Sequence, residues 1–136
     1  MGMYTEIYVN VDLKKETPED VINVLKAMCG MEDSDEKVLE PYPDRWNGLF
    51  YSGSYYTPNT RCHSLTYDNI SNQWSLLGKG DIKNYKQEIQ QFFEWIIPHV
   101  EGYSGDFIGY HRYEEQRVPT LVFLLDDKED EDDEDT

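Results

Sequence analysis

The side chains that could do chemistry are scattered along this sequence. His63, His99 and His111 stand far apart, with no Cys-x-x-Cys and no His-x-x-x-His spacing of the kind a zinc site needs. Cys62 and His63 are neighbours, but on a strand successive side chains point to opposite faces. They can neither share one ion nor converge as a nucleophile and its base. Ser52-Gly53-Ser54 and Ser104-Gly105 lack the strand–elbow–helix setting of a hydrolase serine. Gly78-Lys79-Gly80-Asp81 is too short for a phosphate loop and lacks its Gly-Lys-Ser/Thr ending, so it reads as a turn.

Carboxylates are the one abundant reactive group. The pairs Glu32-Asp33, Asp35-Glu36 and Glu114-Glu115 would need burial to shift their pKa values into a catalytic range. All three fall in expected loops or turns, where solvated charge is the simpler account. The acidic C-terminal segment has no glycine for the sharp turn of a calcium loop. No catalytic, cofactor or metal site is therefore assigned, and the expectation is a protein that is not an enzyme. An enzyme acting on a small nucleotide or peptide would need a concave pocket with buried carboxylates.

The elements that position these residues are legible in part. Met3, Thr5, Ile7, Val9, Val11 and Leu13 alternate with Tyr4, Glu6, Tyr8, Asn10 and Asp12, the period of a half-buried strand. Thr17-Pro18-Glu19-Asp20 reads as a helix start, with Thr17 as the cap and the acids at the positive end of the dipole. Val21, Val24, Leu25 and Met28 follow on one face, and Gly30 is the left-handed stop. Residues 31–44 read as an acidic loop. The aromatic-rich stretch 45–57, then 61–68, then 73–79 suggest a three-strand antiparallel meander. Gly80-Asp81 breaks that pattern. A second helix is expected over about 84–97, with Tyr85, Ile89, Phe92, Phe93 and Ile96 facing inward and Pro98 and Gly102 ending it. Strands over about 106–113 and 118–125 close the chain, joined by a charged turn at 114–117.

The order β-α-β-β-β-α-β-β, with two amphipathic helices on one face of a mostly antiparallel sheet, predicts an α+β two-layer sandwich. Its 136 residues suit a single domain, placed at 1–125, followed by a like-charged tail at 126–136 expected to stay extended. Cys29 and Cys62 are too few for a disulfide framework. Residues 1–13 have neither a basic nor a continuous apolar region, so no signal peptide is read there, and no apolar run is long enough to span a bilayer. The expected setting is cytoplasmic.

Charge narrows the partner. Asp and Glu number 28 against 12 Lys and Arg, a formal net charge of -16. The tail holds nine of those acids and one lysine, so it carries half of the net charge and the body the other half. Direct nucleic-acid binding conflicts with this balance, because phosphate contact relies on Lys and Arg. A basic groove on another protein would instead attract it. The second surface feature is aromatic. If the helices cover the Ile7 and Val9 face, Tyr4 and Tyr8 lie on the open one, and a register of the 45–57 strand would add Trp46, Tyr55 and Tyr56. Such rings favour interfaces, although they could equally pack on each other or fill a homodimer interface.

Met3-Tyr4-Thr5-Glu6-Ile7-Tyr8-Val9, Thr17-Pro18-Glu19-Asp20-Val21 and Arg112-Tyr113-Glu114-Glu115 together resemble small proteins of phages and mobile elements. Acidic anti-defence factors, anti-CRISPR proteins included, recur among these, and the resemblance spans most of the body. It implies an acidic inhibitor that mimics nucleic acid and blocks the basic binding surface of a CRISPR or other defence nuclease complex in a bacterial host. The alternative is an immunity-type or scaffolding protein that binds a cognate protein through the aromatic sheet face. The residues expected to touch a partner are Tyr4, Tyr8, Glu32, Asp33, Asp35, Glu36, Trp46, Tyr55 and Tyr56.

Overall fold

In the computed structural model, which describes residues 4–52, 60–84 and 86–124, the alternating N-terminal segment forms β1 (Thr5–Leu13). Thr5, Ile7, Val9, Val11 and Leu13 are buried, and the residues between them face the other way. The helix α1 (Glu19–Met28) buries Val21, Ile22, Val24, Leu25, Ala27 and Met28. Gly30, at φ 65°, ends it. The Gly30 and Met31 amides donate to the Ala27 and Lys26 carbonyls, a closure that needs a left-handed residue. At the other end the expected cap is not made. The Thr17 hydroxyl donates back to the Lys14 carbonyl at 2.6 Å, and Pro18 takes the cap position with no side-chain bond.

The remaining strands are β2 (Tyr51–Ser52), β3 (Thr60–Asp68), β4 (Gln73–Ile82), β5 (Val100–Glu101), β6 (Phe107–Tyr113) and β7 (Thr120–Phe123). They form an open antiparallel sheet in the order β2-β3-β4-β1-β6-β7, with the short β5 paired to the end of β1. The second helix, α2 (Glu88–Ile96), buries Ile89, Phe92, Phe93 and Ile96. These residues, the buried face of α1 and the buried side of β1 belong to one core. The architecture is the expected α+β one, with β5 added after α2. The 126–136 segment lies outside the described residues.

Three local expectations give way. The first is the aromatic strand over 45–57. Asp44–Gly48 is instead a 3-10 helix, and only Tyr51–Ser52 pairs as strand before residues 53–59 leave the described set. The prolines at 41 and 43 and the Asn47-Gly48 pair favour turns over a ladder. The aromatics at 46 and 50 are also spaced by four, which suits a helical turn better than a pleat. The second is the break at Gly80-Asp81. β4 runs on to Ile82, and its glycines mark close approach. A Cβ on Gly80 would stand 1.9 Å from the Leu49 carbonyl oxygen, and one on Gly78 would stand 2.5 Å from the Phe50 ring. Residues 49–50 thus lie directly on the sheet. The third is the start of α2, which falls at Glu88 because Gln87 adopts φ 58°. The Asn84 side chain, expected inside the helix, accepts the Ile89 amide at 3.0 Å.

Glu88 ties the layers together. One carboxylate oxygen accepts the Lys86 amide and the other the Arg45 guanidinium, each at 3.0 Å. Its carbonyl accepts the Trp46 indole N–H at 3.0 Å. Burial alone would push this carboxyl up, but the backbone amides and Arg45 hold it below its ordinary 4.5. Burial pushes the His111 imidazole below its ordinary 6.5. Both groups bind a proton less readily folded than unfolded, so the unfolded chain gains protons first as pH falls. Stability present above 6.5 should decline as His111 is forced to take up a proton and become charged, and decline again below 4.5 as the Glu88 carboxylate is forced to take up a proton and loses its charge. Urea unfolding at about pH 7, about pH 5.5 and about pH 4 checks this. Glu88→Gln should flatten the lower step and leave the upper one.

Candidate functional site

β1 divides the sheet into a covered and an uncovered face. Its odd-numbered residues meet the helices, so Tyr8 and every side chain in register with it project from the opposite side. Tyr8 pairs with Lys79 on β4 and Tyr110 on β6, and Tyr110 pairs with Leu121 on β7. The Tyr8 and Tyr110 rings stack at 5.4 Å and 21°. Phe107 lies opposite Phe123, two residues along β7 from Leu121, and those rings meet edge to face at 5.9 Å. Leu77, opposite Asn10, continues the apolar strip toward β3. Leu121, Phe107, Leu77 and Phe123 are 50, 49, 42 and 41% exposed. The apolar faces of both described helices are spent on the other side of the sheet, so neither of them lies over this strip.

Close approach builds the strip. A Cβ on Gly109 would stand 2.0 Å from the Tyr8 carbonyl oxygen, and the β6–β7 register shifts between Phe107 and Gly109. That bulge turns Phe107 onto the same face as Tyr110 and leaves Ile108 buried.

Two cations on this face have partners. Arg112 Nε donates to Glu6 at 2.8 Å, and Lys83 Nζ stands 5.7 Å from the Tyr4 ring centre. Glu114 reaches back to accept the Tyr4 amide at 2.6 Å, which gives this member of the Glu114-Glu115 pair a structural task. Burial, then the nearby Glu6 carboxylate, pushes the Tyr110 phenol up, so it stays a neutral donor.

The residues expected to touch a partner divide into separate groups. Tyr4 and Tyr8 are on the uncovered face, as expected for their spacing. Glu32, Asp33, Asp35 and Glu36 are exposed in the connection that follows α1, within the helix layer. Asp33 pairs with Lys26 at 3.1 Å, and Asp35 caps the 3-10 helix Glu36–Leu39 by accepting the Lys37 amide. Trp46 is a correction: it is 2% exposed and belongs to the core, because the 3-10 turn aims it at α2 instead of across a sheet face. Tyr55 and Tyr56 lie outside the described residues. The aromatic and acidic candidates do not converge on one site.

Tyr110, Leu121, Phe107 and Phe123 were not singled out from sequence. Alternation at 121 and 123 and at 110 and 112 gives their parity, but the bulge that brings Phe107 onto the face has no periodic signature. Among the described residues no group of three or more His, Cys, Asp or Glu could hold a metal ion, and no helix is long and apolar enough to cross a membrane. An open α+β sheet, with one aromatic face that no helix covers among the described residues, is the class of protein so defined. Comparison with protein-family models, with curated proteins and with solved structures found no match.

Proposed function

We propose that this protein acts by binding another protein, which it holds against the uncovered aromatic face of its sheet. The observation that carries this is the Tyr8–Tyr110 stack running into Leu121 and the Phe107–Phe123 pair. Tyrosine and phenylalanine offer large contact area with few rotors to immobilise, which is why they dominate interface hot spots. A formal charge of -16 selects a partner with basic surroundings and opposes a second copy of this chain. Binding of this kind is stoichiometric occupation, the way an inhibitor or an immunity-type protein works.

A second reading is supported by the exposed Glu32, Asp33, Asp35, Glu36 and Glu40. There the acidic connection after α1, together with the tail, occupies the nucleic-acid-binding groove of a defence nuclease complex such as a CRISPR effector. The two readings predict opposite responses to salt and mutation.

The test is capture from a bacterial lysate at low and high salt, followed by affinity measurement with the captured protein. Tyr8→Ala or Tyr110→Ala should weaken binding about tenfold or more, as hot-spot truncations do, with a modest salt dependence. If a Glu32→Gln, Asp35→Asn, Glu36→Gln variant loses binding and the tyrosine variants keep it, the acidic-groove reading replaces this one. Binding of a DNA or RNA oligonucleotide through the same face would sink both.

A further inference from the structure

A protein that covers the aromatic face takes its polar groups out of water along with its rings, and an ammonium buried without an anion is costly. Several of those groups are already met from within the chain. Arg112 pairs with Glu6, Lys83 stands over the Tyr4 ring, and Asn10 Nδ2 donates to the Tyr8 hydroxyl at 3.3 Å. Lys79 differs. It is half-buried in the row Cys62, Lys79, Tyr8, Tyr110, Leu121 that crosses the sheet. Among the described residues its ammonium makes no hydrogen bond, ion pair or ring contact. Glu6, diagonal to it, is spent on Arg112. Asp81, next on the same face of β4, is 7% exposed and makes no ion pair with it.

The backbone that carries Lys79 is fixed. It stands between Gly78 and Gly80, where a Cβ would strike the Phe50 ring and the Leu49 carbonyl oxygen. Residues 49–50 thus press on the strand from the side opposite Lys79, and β4 is paired along both edges, with β1 and β3. A lysine on such a support loses little beyond its own rotamer freedom when it is paired.

We propose that Lys79 is the selectivity-determining cation of this face: the partner protein sets the carboxylate of a glutamate or aspartate side chain on it, with apolar side chains alongside on Tyr8, Tyr110 and Leu121. This inference rests on the protein-binding reading above and names the chemistry that the partner must present. The acidic chain as a whole draws basic surfaces and repels acidic ones. Lys79 then discriminates among the basic ones. A surface of bases alone leaves its ammonium covered and unpaired beside other cations, whereas one with a single acid among its bases satisfies it.

The test uses the full chain, labelled with nitrogen-15 and with carbon-13 at the lysine Cε, and two acetylated, amidated peptides. One is arginine-leucine-glutamate-leucine-arginine, and the other has glutamine at its centre. The glutamine peptide is the more cationic, so the net charge of -16 by itself favours it. Pairing at Lys79 reverses that order. The glutamate peptide should bind about threefold or more tighter, moving the Lys79 Cε signal together with the Tyr8 and Tyr110 amides. Lys79→Gln, with its far-ultraviolet circular dichroism unchanged, should restore the preference for the glutamine peptide. The pairing is wrong if the parent chain prefers the glutamine peptide, if a glutamate preference survives in Lys79→Gln, or if neither peptide moves the Lys79 signal. In each of those cases the tyrosine variants, measured with the captured protein, still decide the broader reading. A thymidine octanucleotide that moves the Lys79 signal in the peptide's place would assign the cation to phosphate and also overturn the pairing.

Discussion

Trp46→Ala should destabilise the protein by about 3–5 kcal/mol, the range for removing a buried aromatic from a packed core. The indole is 2% exposed and sits in a cluster. It stacks on Tyr42 at 5.1 Å and 13°, and meets Trp95 at 5.2 Å and the edge of Phe92 at 5.6 Å. Its N–H donates to the Glu88 carbonyl, so truncation also strips a partner from the first turn of α2. Arg45, one residue away, holds the Glu88 carboxylate. The loss is therefore not confined to a void: the contact between the 3-10 turn and α2 loosens with it. Urea unfolding monitored by far-ultraviolet circular dichroism measures the effect. Trp46→Phe should recover part of the loss by refilling volume, without the indole hydrogen bond. A Trp46→Ala protein as stable as the parent, yet unable to bind its partner, would return Trp46 to the surface role that its sequence first suggested.

Trp46 also shows where sequence legibility ends. β1 could be read residue by residue, because its alternation records a single boundary between core and solvent. α1 could be read for the same reason, and Gly30 marked its end through a backbone requirement that only the local sequence imposes. Trp46 obeys no such local rule. Its burial depends on a 3-10 turn between two prolines and a glycine, and on an aromatic shelf from α2 more than forty residues away. The same holds for Gly78 and Gly80, read as a turn because glycine is a breaker in isolation. Their role is set by residues 49–50 pressing on the sheet, a contact with no trace in the neighbouring sequence. On the candidate surface, Tyr4 and Tyr8 were visible from the parity of β1. Their partners across the sheet were not, since the register of β6 and β7 is fixed by a bulge.

That bulge leads to the other large effect, at Gly109. Its φ is not left-handed, so an alanine there meets no backbone objection, and any cost is one of space. The space is absent: a Cβ would lie 2.0 Å from the Tyr8 carbonyl oxygen and 3.1 Å from the Val9 Cα. Both are backbone atoms of the central strand, which cannot rotate aside as a side chain would. Gly109→Ala must therefore push β6 from β1, at a cost on the order of 1–3 kcal/mol or more, as overpacking does. Unlike the loss at Trp46, this one carries a functional signature. Gly109 faces Val9 and adjoins Tyr110, so a widened gap separates the Tyr8 and Tyr110 rings that stack at 5.4 Å. The variant should lose partner affinity at temperatures where it is still fully folded. Loss of the Tyr8–Tyr110 ring contacts in nuclear Overhauser spectra should track that loss of affinity. Core contacts around Trp46, on the other face of the sheet, should persist. If affinity survives while the stack is broken, the partner does not read these rings, and the binding surface must be sought in the exposed carboxylates after α1.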